Sequence, residues 1–177
     1  ADEFPAIPKV PKENTIRISN AELEKAITQT VFSASMNTSR PILSGVLFHV
    51  DKDVLKVVAT DSYRLAEKKL SLIEKTSVSL ECSIPSRTVA ELGKILSKSQ
   101  EKEVEISISK NQALFVIGNI ELMSRLIEGK FPPYEKIIPT TSKTSVEIGT
   151  EELALVVKRV SLFAKENNNS IKLAATN

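Results

Sequence analysis

A stretch near the start of the chain recurs near its end, and the second occurrence is cut short. Phe4-Pro5-Ala6-Ile7-Pro8, Thr15 to Ile18 and Ser19 to Ala34 return as Phe131-Pro132-Pro133 with Ile138-Pro139, Ser145 to Ile148 and Gly149 to Ala164. The offset is 127 residues at the Phe-Pro pairs and 130 at Ile18/Ile148 and Leu23/Leu153. Solenoid units run to only about 20–50 residues, so a period this long belongs to a domain. The 177 residues therefore read as one whole domain and the opening of a second like it.

A domain of this size buries roughly two thirds of the surface its unfolded chain exposes, enough for its own core, whereas the short remainder does not. The composition, 41% apolar and 26% charged, is that of an ordinary globular protein. No apolar run approaches the roughly 18 residues that cross a bilayer. The opening Ala1-Asp2-Glu3-Phe4-Pro5 is linker-like and has no basic-plus-apolar leader, which suggests a fragment whose true beginning lies upstream. A single cysteine, Cys82, excludes an internal disulfide framework and fits a reducing compartment. With 24 basic and 22 acidic side chains the net charge is +2, so nucleic-acid binding would require the charges to be segregated by face.

Residues 5–14, with three prolines, read as an extended linker. Thr15 to Ile18 alternates as a short strand and runs into Ser19, whose spacing to Glu22 is that of a capping box. Leu23, Ile27 and Val31, flanked by Ala26 and Ala34, predict a helix over 20–34. Strands are expected at Ser44 to Val50, Val54 to Ala59, Arg64 to Leu70 and Val78 to Ile84, with a turn at Asp51-Lys52-Asp53. Pro85-Ser86 opens a second helix over 87–98, whose apolar side is Val89, Leu92, Ile95 and Leu96. Gly93 weakens it by about 1 kcal/mol relative to alanine. Val104 to Ile108, Ala113 to Ile117 and Glu121 to Glu128 add three strands. The order is strand, helix, four strands, helix, three strands: an α+β arrangement in which helices cover one face of antiparallel sheet, with a hint of an inner half-repeat. Residues 129–144 form a second linker. Val146 to Ile148, a helix from Thr150 to Lys165 with Leu153, Val156, Val157, Val160 and Ala164 on its apolar face, and a strand from Ile171 to Ala175 open the next copy. Such a tail cannot close a core. It is expected to lean on the main domain or to be poorly ordered.

No catalytic constellation emerges. The one histidine, His49, sits in an alternating strand as an edge or surface residue, and Cys82 reads as a small buried hydrophobe. Metal ligation needs several such groups together. Asp51/Asp53 and Glu151/Glu152 stand in a turn and a first helical turn, where acids serve solvation and the helix dipole. Two segments stand out. In Ala59-Thr60-Asp61-Ser62-Tyr63-Arg64-Leu65, Asp61 either caps backbone amides and pairs with Arg64, or the turn forms the rim of a pocket floored by Leu43, Leu65, Pro132 and Ile137. The open helix faces carry Lys25, then Arg87, Lys94 and Lys98, then Lys158, Arg159 and Lys165, which is either plain solvated surface or a repeated, modestly basic surface that touches phosphates.

Phe4-Pro5, Ser39-Arg40-Pro41-Ile42-Leu43-Ser44-Gly45-Val46-Leu47-Phe48, Val58 to Ala66, Ile84-Pro85-Ser86-Arg87 and Leu126-Ile127-Glu128-Gly129-Lys130-Phe131-Pro132-Pro133-Tyr134 together resemble the bacterial sliding clamp family, the beta subunit of the replicative DNA polymerase. The resemblance implies a DNA-clamp fold. Residues 1–14 would be the end of the first domain and a linker, 15–128 the middle domain, 129–144 an interdomain linker and 145–177 the truncated start of the third domain. It also implies a cytoplasmic, non-catalytic processivity factor without cofactor or metal. In that family three domains per subunit and two subunits head to tail close a ring lined by helices, which holds duplex DNA by topology.

The resemblance further implies that DNA polymerase, clamp loader and repair proteins dock through short peptides in a pocket. Here its wall would be Leu43, Thr60, Ser62, Tyr63, Arg64 and Leu65, with Pro132 and Ile137 closing it from the linker side. The DNA-facing set would be Lys25, Arg40, Arg87, Lys94, Lys98, Lys158 and Arg159. Where the family often has Gly-His, this chain has Ser62-Tyr63, which points to a different pocket shape or peptide preference. The rest of the pocket comes from the end of the third domain, so this chain is expected to present half a pocket and to be unable to encircle DNA alone. The competing expectation is a peptide-binding adaptor that never meets DNA.

Overall fold

The computed structural model describes residues 14–37, 39–77, 79–164 and 170–174. The Phe4-Pro5 pair, most of the first linker, Val78, Lys165 and Ala175 lie outside them. Two compact units divide the chain, Ala1–Pro132 and Pro133–Asn177.

The first unit begins with β1 (Thr15–Ser19), and Ser19 Oγ accepts a hydrogen bond from the Glu22 amide at 3.5 Å to start α1 (Asn20–Thr30). Helix α1 ends four residues short of the expected Ala34. The Thr30 hydroxyl donates back to the Ala26 carbonyl at 2.7 Å, Thr30 itself leaves helical geometry, and the chain tightens into a 3-10 turn at Val31–Ser33. A second 3-10 turn, Pro41–Ser44, precedes β2 (Gly45–Asp51), β3 (Val54–Thr60), β4 (Leu65–Ser71) and β5 (Leu80–Pro85). Helix α2 (Ser86–Lys98), β6 (Glu103–Ile108), β7 (Gln112–Ile117) and β8 (Ile120–Arg125) complete the unit. The last strand stops before the expected Glu128 because Ile127 turns away from β7 to bridge Ser83 of β5.

The eight strands form two antiparallel four-stranded sheets, ordered β1-β6-β7-β8 and β4-β3-β2-β5. The expected order of elements and α+β class hold, and the inner half-repeat is visible as strand-helix-three strands twice over. Each half lends its first strand to the other half's sheet. β1 pairs with β6, Ile16 opposite Ile106, and β5 pairs with β2, Phe48 opposite Cys82.

One core joins the layers. Val46, Phe48 and Val50 of β2 point inward with Ile106 of β6 and Phe115 of β7, and the Phe48 and Phe115 rings meet edge to face at 6.1 Å between centroids. Leu23, Ala26 and Ile27 of α1 and Val89, Leu92 and Leu96 of α2 are buried over it. Leu47 and Val58, which face the other side of their sheet, are buried as well. The chain after β8 crosses that side. Ile127 Cδ1 stands 2.8 Å from where a β-carbon on Gly45 would lie, Gly129 rests against Ile42, and Phe131 is buried. This covering explains why β2 reads as a nearly unbroken apolar run rather than a clean alternation.

In the second unit a 3-10 turn spans Tyr134–Ile137 and α3 spans Thr150–Ser161. The expected strands at 146–148 and 171–175 are not formed among the described residues.

Candidate functional site

Two turns and the end of a helix build a groove in the first unit. Between β3 and β4 the chain reverses through Asp61 to Arg64. Asp61 Oδ1 accepts from the amides of Tyr63 and Arg64, both at 2.9 Å, and Oδ2 takes the Arg64 Nε–H at 3.0 Å. Those amide bonds, Arg64 first and Tyr63 next, hold the Asp61 carboxyl below its ordinary pKa, and the Arg64 charge adds to the effect. Buried Thr60 braces the turn from below: its hydroxyl donates to the Arg64 carbonyl at 2.7 Å and accepts from the Ser62 amide at 3.2 Å. Ser62 sits at φ +80°, a left-handed conformation that costs a side chain and suits glycine.

Opposite stands the segment from Ala34 to Leu43. Asn37 Oδ1 accepts from the Ser39 amide at 2.8 Å, Arg40 Nη1 donates to Ser62 Oγ at 3.4 Å, and Leu43 is buried. Between the two lies a groove of about 700 Å³ lined by Ala34, Met36, Arg40 and Leu43 on one side and Asp61 to Arg64 on the other. Tyr63 is 98% exposed on its rim. The groove therefore offers an apolar floor, two guanidinium groups and one carboxylate, a surface suited to an extended peptide.

Of the residues expected at such a pocket, Leu43, Ser62, Tyr63 and Arg64 come together here. Thr60 supports the turn from beneath, and Leu65 is the half-buried first residue of β4. Pro132 is exposed at the end of the first unit, and Ile137 belongs to the second. Arg40, expected to face DNA, lines the groove. Sequence reasoning missed Ala34, Ser35, Met36, Asn37 and Ser39. Ala34 read as the end of a helix and Ser39 as part of a family motif, and the signal of Ser35, Met36 and Asn37 was a break in pattern between the helix and that motif.

The basic helix face is uneven. On α2, Arg87, Glu91, Lys94 and Lys98 are exposed at helical spacing along one stripe, with Lys94 Nζ 2.9 Å from Glu91 Oε1. On α1 the exposed Lys25 is outnumbered by Glu22 and Glu24. Lys158 and Arg159 are exposed on α3 in the second unit. His49 faces the outer side of interior strand β2, with Nδ1 3.5 Å from Glu81 Oε2. Cys82 is buried as expected, its thiol pushed up to about 12 by burial and secondarily by Glu81. Among the described residues no group of three or more His, Cys, Asp or Glu side chains is placed to hold a metal, and no helix is long and apolar enough to cross a membrane.

Residues 17–133 match the family model of the DNA polymerase III beta subunit, central domain. The chain is 40% identical over 176 residues to the beta sliding clamp of Bacillus subtilis, covering 99% of this chain and 46% of that protein. It is 37% identical over 174 residues to the beta sliding clamp of Staphylococcus aureus, covering 98% and 46%. The chain thus spans about half the length of the curated relatives it matches. Its fold is similar to the crystal structure of the DNA polymerase sliding clamp from Bacillus subtilis, with a TM-score of 0.86, 39% identity, and coverage of 92% of this chain and 43% of that one. It is also similar to a sliding clamp from Pseudomonas aeruginosa bound to griselimycin, with a TM-score of 0.83, 27% identity, and coverage of 91% and 43%. The DNA-clamp fold expected from the sequence is the one these structures share.

Proposed function

We propose, for a chain that belongs to the DNA polymerase III beta-subunit family, that it is the central part of a sliding clamp: a non-catalytic processivity factor that keeps a replicative polymerase on duplex DNA. Residues 1–14 end the first domain, 15–128 are the middle domain, 129–144 link it onward and 145–177 open the third. The full-length subunit closes a head-to-tail dimeric ring around DNA in the cytoplasm, and polymerase, clamp loader and repair proteins dock in its peptide pocket.

The observation that carries the reading is the presence of two different surfaces on one small unit. The α2 stripe of Arg87, Lys94 and Lys98 is basic but diluted by Glu91, which suits loose phosphate contact rather than a grip. Lys25 of α1 adds to that lining more weakly, and the second unit carries its own exposed pair, Lys158 and Arg159. The groove floored by Leu43 and walled by Ser62, Tyr63 and Arg64 takes the peptide, with Thr60 bracing that wall and Leu65 opening the strand that follows it. Arg40 belongs with the groove. A second reading, a peptide adaptor that does not touch DNA, is favoured by α1, whose Glu22 and Glu24 outweigh Lys25.

Charge reversal of Arg87, Lys94 and Lys98 in the full-length subunit separates the two. A clamp loses its retention on circular primed DNA while keeping griselimycin uptake. Unchanged retention favours the adaptor.

A further inference from the structure

Phe32 lies just past α1, in the Val31–Ser33 turn, and is 58% exposed. The Arg64 guanidinium covers its ring, with Cζ 5.7 Å from the centroid, inside the range of a cation–π contact. The same guanidinium is tied through Nε to Asp61 Oδ2 at 3.0 Å. Two contacts therefore hold one flexible side chain, a carboxylate at its neck and an aromatic face under its plane. Of the two arginines lining the groove, Arg64 is fixed in this way, whereas Arg40 is held by one 3.4 Å hydrogen bond to Ser62.

We infer that Phe32 is a positioning residue for the docking groove, setting the Arg64 guanidinium in a fixed orientation toward the backbone carbonyls or carboxylate of a bound peptide. The inference rests on the reading of the groove as a peptide site. An arginine ordered before binding loses less side-chain entropy on contact, so Phe32 acts on affinity without touching the ligand. Helix α1 is thereby part of the pocket's construction: its early end at Thr30 turns Phe32 under the β3–β4 turn instead of carrying it along the helix surface.

The test uses this chain with griselimycin as the probe and two readouts. In the nuclear magnetic resonance spectrum the Arg64 Nε–H signal carries a ring-current shift that Phe32→Leu abolishes and Phe32→Tyr keeps. In titrations Phe32→Leu weakens griselimycin binding by roughly two- to fivefold. Phe32→Tyr restores it, and Phe32→Leu has no further effect once Arg64 is alanine. An unchanged Arg64 signal in Phe32→Leu, or the same loss of affinity with Arg64→Ala as with Arg64, overturns the role of Phe32 while leaving the groove a peptide site. A chain that shows the ring-current shift yet takes up no griselimycin overturns the groove reading and the role of Phe32 with it.

Discussion

Ile27 of α1 occupies the space that a side chain at Gly93 of α2 would need. Its Cγ2 stands 3.0 Å from the position of a β-carbon built on that glycine. The glycine that weakens α2 as an isolated helix is what lets the two helices close on each other.

Gly93→Ala is therefore expected to destabilise the fold although alanine is the better helix former. The propensity gain of about 1 kcal/mol is outweighed by overpacking against a fully buried isoleucine, which typically costs about 1–3 kcal/mol. Thermal unfolding checks the sign. Ile27→Leu, which removes the γ2 methyl, relieves the Gly93→Ala variant; Ile27→Val, which keeps it, does not.

Ser62→Gly is expected to raise stability by about 0.5–1 kcal/mol, since φ +80° is a conformation that glycine adopts without strain. The cost of the change is small, because the Arg40 to Ser62 hydrogen bond is exposed and long at 3.4 Å. Denaturant unfolding that shows Ser62→Gly to be less stable than the parent chain would contradict the strain assigned to this turn.

Acid should loosen the Asp61 turn before it unfolds the core. The Asp61 carboxyl titrates in the folded chain below its ordinary value of 3.8, so its stabilising contribution is complete above that value and fades as pH falls through the lower folded pKa. Amide exchange at Tyr63 and Arg64 is expected to accelerate in that window. In Asp61→Asn the ion pair to Arg64 is gone, and the acceleration with acid disappears.

Cys82 is expected to resist alkylation at pH 8 in the folded chain. With the thiol at about 12, hardly any thiolate exists at that pH, and burial blocks access to it. Reaction should track global unfolding in rising urea. Rapid labelling without urea would refute this.

What the sequence disclosed was mostly local. The Asp61 cap and its pairing with Arg64, three positions on, were legible, as were the apolar stripes of α1 and α2 and the succession of strands. The early end of α1 was not, because the Thr30 hydroxyl competes with the helix ladder without disturbing apolar periodicity. Gly93 read only as a cost because its partner, Ile27, lies far away in the chain. The groove wall from Ala34 to Ser39 has no periodicity to read, being held by Asn37 and backbone turns. Phe32 was hidden for a related reason: on a helix continued to Ala34 it would be one more surface residue, and only the turn brings it to Arg64.

The exchange of first strands between the two halves bears on how the chain is made as well as on its shape. When β1 leaves the ribosome its pairing strand has yet to follow, since Ile106 lies 90 residues beyond Ile16 in the chain. Nor can the sheet of β2, β3 and β4 be completed before β5 has emerged. Each half's first strand completes the other half's sheet, so the duplicated pattern is expected to unfold in one cooperative transition instead of two. Pairing over such separations is slow relative to local helix formation. Cleavage between β4 and β5 would leave each half holding a strand that completes the other's sheet, so a cut at that connection touches both sheets at once.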